Sequence, residues 1–143
     1  MPEASTPSPS AVLPFTTMHG YTYSGHPVAA AAGIATLKVY TEESTFEQSR
    51  SREGGFEQLL HGLRDEPNVI DIRNCGLMGG IDLASRPGAP GARGMDVFLH
   101  CWQNGVVIRA SGDTLAIAPF FATTDSEFEQ LFSAVRNALR SVS

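Results

Sequence analysis

Residues 69–83 read Val69-Ile70-Asp71-Ile72-Arg73-Asn74-Cys75-Gly76-Leu77-Met78-Gly79-Gly80-Ile81-Asp82-Leu83. Side chains alternate through 69–74, with Ile70 and Ile72 on one side, which is the period-2 pattern of a strand with one buried face. Cys75-Gly76 punctuates the pattern, and 77–83 forms the next strand, in which Gly79-Gly80 indicates a bulge or a close approach of another backbone. The simplest arrangement of these two strands is an antiparallel pair.

Helical patterns lie on both sides of this pair. Helices are predicted at 27–43, at 45–64 with a plausible break at Gly54-Gly55, at 92–104 and at 124–141, and further strands at 106–110 and 114–118. In the third helix Met95, Phe98, Leu99 and Trp102 follow the i, i+3, i+4, i+7 spacing of an apolar face. Thr124-x-x-Glu127 is the sequence of a capping box, which places the start of the last helix.

These elements predict an α+β fold, in which a small and largely antiparallel sheet has helices packed on one face. Residues 1–17 are rich in Pro, Ser and Thr, which predicts a flexible N-terminal tail. Residues 18–143 are then expected to form one domain.

Composition excludes several classes of function. The 143 residues have a net charge of −5, and nine arginines and one lysine are scattered without a basic run, which argues against binding to nucleic acid. No apolar run is long enough to span a membrane, the histidines lack metal-ligand spacing, and the distant Cys75 and Cys101 are expected to be buried structural thiols. The acidic balance suits a cytoplasmic protein.

The turn Gly20-Tyr21-Thr22-Tyr23-Ser24-Gly25-His26-Pro27 opens a helix of small residues. The first N–H groups of a helix have no partner within it and attract anions, and a Thr hydroxyl adds a donor for a phosphate oxygen. The other interpretation is that Ser24 caps the helix and Pro27 occupies its first turn. Spacing alone favours that second interpretation.

The literal strings add information that spacing does not. The segments His19 to Pro27, Val69 to Leu83, Gly105 to Asp113 and Ala116 to Pro119 resemble class III aminotransferases, the pyridoxal-phosphate (PLP) enzymes that include the omega-amino-acid:pyruvate transaminases. In order and spacing the resemblance covers residues 18–143. It implies the C-terminal small domain of a fold type I PLP-dependent transferase.

The resemblance also implies roles for individual residues. Arg109 matches the arginine that binds the carboxylate of small amino or keto acid substrates, as a guanidinium fork can. Thr22 matches a threonine that binds the PLP phosphate of the neighbouring subunit in a dimer, and Tyr21 matches an aromatic residue near that phosphate. The alternatives are a salt bridge from Arg109 to Asp113 or Asp82, a local backbone contact for Thr22, and surface packing for Tyr21.

Full-length members of that family place a large domain with the Schiff-base lysine ahead of this segment. Lys38 is the only lysine here, and its surroundings do not match the family's lysine motif. The chain is therefore expected to be a C-terminal fragment or subunit, inactive alone, that works with a PLP large domain or an intact transaminase subunit. The alternative is a non-catalytic orphan domain that interacts with such a subunit. A third hypothesis, an independent small enzyme, has no support, because the sequence contains no nucleophile–base pair and no set of metal ligands.

Overall fold

The structure, a computed structural model, describes residues 22–142. The elements, in chain order, are α1 (Pro27–Glu42), α2 (Thr45–His61), β1 (Val69–Cys75), β2 (Met78–Leu83), α3 (Ala92–Gln103), β3 (Arg109–Ser111), β4 (Thr114–Ile117) and α4 (Asp125–Ser141). The chain divides into two compact units, 1–37 and 38–143. The predicted tail, 1–17, lies outside the described residues.

Helix α1 forms as the sequence predicts. It begins at Pro27, whose ring suits the first helical position, and the carbonyl of His26 accepts the first helical hydrogen bond from the N–H of Ala30. Every residue of α1 is exposed except Tyr40, which is half-buried. The side chain of Val28 is 72% exposed, so α1 presents apolar surface to solvent.

The second unit is built on a four-stranded sheet with the strand order β1-β2-β4-β3. Each pair of neighbouring strands is antiparallel. The predicted pairing of 69–74 with 77–83 is confirmed, since Ile72 pairs with Ile81 and Cys75 with Met78. A register shift between Val69 and Asp71 interrupts the ladder.

Helices α2, α3 and α4 cover one face of the sheet and form the core with it. This confirms the predicted fold class. Phe56 of α2 meets Phe128 and Phe132 of α4 in edge-on contacts, with ring centroids 5.7 and 5.3 Å apart. The predicted capping box is present, because the Thr124 side chain accepts from the N–H of Glu127 while the Glu127 carboxylate accepts from the N–H of Thr124.

Three local predictions were wrong. Helix α2 ends at His61 and runs without a break through Gly54 and Gly55. It stays continuous because the burial of Phe56 and Leu60 offsets the poor helix propensity of glycine. Residues 106–108 form no ladder, so β3 begins only at Arg109. Their apolar pattern reflects direct insertion into the core, with Val106 and Ile108 buried.

The third error concerns helix α3, whose apolar residues do not all face the core. Met95, Leu99 and Trp102 are exposed, whereas Gly94, Val97 and Cys101 are buried.

Two further expectations fail in β1. The side chain of Ile70 is 67% exposed, because the register shift removes it from the side on which Ile72 is buried. Cys75 is exposed rather than buried. Cys101 is buried as expected, and this burial raises the pKa of its thiol to about 11.

Candidate functional site on the open face of the sheet

The face of the sheet opposite the helices is polar. Residues that pair across antiparallel strands point to the same face, and the register gives two rows of side chains. The rows, read from β1 to β3, are Arg73, Gly80, Ala116, Arg109 and Asp71, Asp82, Thr114, Ser111. Arg109 therefore shares one open surface with a second arginine and two aspartates.

Arg73 is neutralised by neighbours on this face. Its guanidinium donates to Asp71 at 2.9 Å and to both oxygens of Asp82 at 2.6 and 3.1 Å. The Thr114 hydroxyl donates to Asp82 at 2.7 Å. The Arg73 hydrogen bonds, followed by the one from Thr114, hold the pKa of the Asp82 carboxyl below its usual range. The Arg73 side chain also lies over Gly80, where an added Cβ would meet it at 3.5 Å.

Arg109 has no such neutralising partner. Its side chain is exposed and forms no hydrogen bond or ion pair with any other residue in 22–142. The two alternatives expected from the sequence, Asp82 and Asp113, are both engaged elsewhere. Within the described chain the guanidinium is thus free to bind a carboxylate in the bidentate manner of an arginine fork.

Asp113 instead holds the N-terminus of α3. Its carboxylate accepts from the Ser85 hydroxyl at 2.7 Å and from the N–H groups of Gly91 and Gly94 at 2.7 and 3.0 Å. These bonds, that from Ser85 foremost, lower the pKa of Asp113. Gly94 is close to the same turn, since an added Cβ would lie 2.3 Å from the Gly112 carbonyl oxygen. The turn that follows Arg109 is therefore fixed against α3.

Sequence reasoning missed this role of Asp113, because the cap comes from a distant turn. The residue at the N-cap position of α3, Gly91, has no side chain to act as a cap. The only available signal was the pair of glycines, Gly91 and Gly94, at the predicted start of the helix.

Thr22 lies in the first unit, in an exposed turn of residues 22–25 before α1. Gly25 has a φ of +78°, and the N–H of His26 donates to the carbonyl of Tyr23 at 3.1 Å. The Thr22 hydroxyl forms no hydrogen bond with another described residue. Tyr21 lies outside the described residues. Lys38 is exposed on α1.

Other places on the second unit are less suited to the predicted chemistry. A groove of about 470 Å³ is lined by Gly105, Val106, Val107, Ile117, Ala118, Pro119, Phe120, Thr123, Glu127, Gln130 and Leu131. Arg109 is not among these residues, so the candidate carboxylate site is the open sheet face rather than the groove. Within residues 22–142, no cluster of His, Cys, Asp or Glu could hold a metal ion. No helix in that range has the length and apolar content needed to cross a membrane.

A small antiparallel sheet with helices on one face matches part of the fold of omega transaminases, which are fold type I PLP enzymes. The chain is 30% identical to the crystallised omega transaminase of Pseudomonas jessenii in complex with PMP, with a TM-score of 0.79 over 87% of this chain and 29% of that one. It is 42% identical over 129 residues to an omega-aminotransferase of Caulobacter vibrioides. It is 46% identical over 124 residues to a beta-alanine–pyruvate aminotransferase of Pseudomonas aeruginosa.

The family model for class-III aminotransferases matches residues 3–139, and the chain belongs to that family. The match includes most of 1–17, where the sequence resemblance was expected to end. The Caulobacter match includes 90% of this chain but only 29% of that relative. The Pseudomonas aeruginosa match includes 87% of this chain and 28% of that relative. It spans less than a third of the curated relatives.

Proposed function

We propose that this chain provides the substrate-carboxylate contact and part of the cofactor-phosphate contact of a class III transaminase. The reaction is transfer of an amino group from an omega-amino acid or amine to pyruvate or another keto acid. The observation that supports the proposal best is Arg109, whose guanidinium is unpaired among the described residues, while Asp82 on the same face of the sheet and Asp113 in the turn after β3 hold other partners.

Arg109 binds and orients the substrate in this proposal. Its two parallel N–H donors hold both oxygens of a carboxylate in one plane, which fixes the direction in which the amino or keto end points. Asp113 keeps the turn after β3 rigid against α3, so the strand that presents Arg109 is held in place. Hydrogen bonds to charged groups contribute about 1.5–3 kcal/mol each.

Thr22 and Tyr21 contact the cofactor in this proposal. The residues present fit one end of PLP, since the exposed hydroxyl of Thr22 and the unpaired N–H groups at the start of α1 suit a phosphate. PLP, when bound, supplies the electron sink for amino transfer. The chain's only lysine, Lys38, does not match the family's lysine motif, so the covalent attachment of PLP comes from sequence outside residues 1–143. That sequence belongs to the same protein or to an intact transaminase subunit.

A chimera tests the proposal. Residues 22–142 replace the matching segment of the Caulobacter relative, and transamination between an omega-amino acid and pyruvate is measured. Arg109→Gln should lower kcat/KM for carboxylate substrates by roughly ten- to a hundredfold, which corresponds to the loss of a charged hydrogen bond. Arg50→Gln, which removes an exposed arginine of α2, is the control and should change nothing. Thr22→Ala should weaken PLP retention, whereas Thr36→Ala, in the helix α1 that follows, should not.

The chain by itself should not transaminate. Purified protein mixed with PLP, an amino donor and pyruvate is expected to give no product. Turnover by the lone chain that Lys38→Ala abolishes would contradict this proposal. Equal activity of the Arg109→Gln and Arg50→Gln chimeras would favour the non-catalytic orphan domain, which the similarity to transaminases does not otherwise favour. Cell fractionation tests the proposed cytoplasmic location.

A further inference from the structure

The two arginines on the open face of the sheet are in different electrostatic states. Arg73 faces Asp71 and Asp82, so this group of three residues has a formal charge of −1. Arg109, in the same row of side chains, has no ion pair among the described residues and has a formal charge of +1. The face therefore has a positive end at β3 and a slightly negative end at β1.

We propose that Asp71 and Asp82 make this face selective for monocarboxylates and against dicarboxylates. The inference rests on the proposed function, in which Arg109 binds a substrate carboxylate. Asp71 and Asp82 act by occupying the donors of Arg73, which would otherwise be a second carboxylate-binding fork. A ligand held at Arg109 then meets carboxylates, rather than a free guanidinium, at its far end.

The spacing of the sheet makes the two arginines reachable by one ligand. Neighbouring strands lie about 4.8 Å apart, and Arg73 and Arg109 are on the two edge strands of a four-stranded sheet. The Arg73 side chain bends inward over Gly80, so its guanidinium is roughly two strand spacings, about 10 Å, from the backbone of Arg109. With the Arg109 guanidinium extended above its own strand, the two guanidinium groups would lie about 10 Å apart, a span that a five-carbon dicarboxylate can bridge from above.

The surface between the arginines is nearly bare. The two positions that separate them in the row are Gly80 and Ala116, which together contribute a single methyl group. Ala116 is exposed and Gly80 is half-buried under Arg73. A short aliphatic chain therefore lies on this surface without steric conflict, and the charge at its far end decides whether it binds.

The test uses the whole chain labelled with ¹⁵N and follows the Nε–H signals of Arg73 and Arg109 by NMR. Propionate and glutarate are titrated at constant ionic strength into the original protein, Asp71→Asn, Asp82→Asn, the double variant and Asp65→Asn. The last variant removes one negative charge from an exposed position outside the sheet and controls for net charge. Circular dichroism establishes that each variant is folded.

In the original protein, propionate should shift the Arg109 signal and leave the Arg73 signal unchanged. Glutarate should bind at most about twice as tightly as propionate, because either of its two equivalent carboxylates can bind Arg109. In the double variant, glutarate should shift both signals. The ratio of glutarate to propionate affinity should rise by roughly two- to fivefold, the worth of one exposed ion pair. If the double variant does not fold, the same rise in Asp82→Asn, which removes the carboxylate bonded to both terminal nitrogens of Arg73, tests the proposal.

Two results would overturn the selectivity proposal alone. One is glutarate shifting Arg73 in the original protein with a clear gain in affinity over propionate. The other is an affinity ratio that is the same in the Asp71 and Asp82 variants as in Asp65→Asn. A different result, no Arg109 shift with propionate in the original protein, would remove the carboxylate site and both proposals with it.

Discussion

The two faces of the sheet come from the same strands and have opposite chemistry. On one face Gly79, Ile81, Leu115 and Ile117 are buried against helices, with Ile81 and Leu115 fully so. On the other face the residues between them are charged, polar or small and remain wholly or partly accessible. The apolar face provides stability and tolerates little change. The open face contributes little to stability, so its residues are available for function.

The largest effect that would test this contrast is on the apolar face. Leu115→Ala should lower the free energy of unfolding by about 2–5 kcal/mol, because it leaves a cavity at a fully buried position. Ala116→Ser, one residue further on the open face, should change it by less than about 0.5 kcal/mol. Urea denaturation measures both, and similar costs for the two variants would remove the distinction between the faces.

A smaller effect is expected where α3 meets the β3–β4 turn. Gly94→Ala places a methyl group 2.3 Å from the Gly112 carbonyl oxygen, and backbone must shift to accept it. We expect a loss of about 1–3 kcal/mol in the free energy of unfolding. Gly54→Ala is the matched control, because that helical position is open and alanine should stabilise α2 by about 0.5–1 kcal/mol. If both substitutions changed the free energy of unfolding in the same direction, the close packing described at Gly94 would be wrong.

The cap on α3 should have a pH-dependent effect of about 0.5–2 kcal/mol, which is the usual cost of losing a helix cap. The folded state lowers the pKa of Asp113, so the unfolded state binds more protons and stability rises with pH. The contribution is complete above the unfolded pKa near 3.9 and declines as pH falls through the lower folded value.

Asp113→Ala should therefore be destabilised at neutral pH and differ less from the original protein in acid. Denaturant midpoints measured across the acid range test this. A difference that grows as the pH falls would contradict the assigned sign.

The smallest effect is expected at the candidate site itself. Arg109→Gln should leave the free energy of unfolding within about 0.5 kcal/mol of the original, because the side chain is exposed and unpaired among the described residues. Its consequence should be confined to carboxylate binding. A large loss of stability would mean that Arg109 has a structural role, which would weaken the proposed function.

Local sequence patterns predicted most of the fold. The presence of strand β1, the capping box of Thr124 and the position of α4 each depend on neighbours in sequence, and each was confirmed. Helix α3 was harder, since it has apolar residues on two sides and periodicity could not show that Val97 and Cys101, rather than Met95 and Trp102, face the core. Ile70 was misassigned because a register shift depends on the partner strand.

The site depended on information that is not local. The sequence left three partners open for Arg109: a substrate carboxylate, Asp82 or Asp113. The sheet register places Asp82 beside Arg73 and Thr114, and the packing of α3 engages Asp113, so neither aspartate pairs with Arg109. The substrate carboxylate stays a prediction. The resemblance to transaminases identified the residue, and the tertiary structure explains why its guanidinium is not already paired.

Helix α4 has a consequence for the order in which the chain folds. It supplies Phe128, Phe132, Val135, Ala138 and Leu139 to the core, and its Arg140 binds Glu66 through two hydrogen bonds of 2.7 Å. During synthesis every strand emerges before this helix, so the apolar side of the nascent sheet is covered only by α2 and α3 until residues 125–141 appear. During that interval the apolar surface that α4 later covers is exposed and promotes aggregation. Chaperone dependence should therefore be greatest for a ribosome-bound chain stalled just before α4.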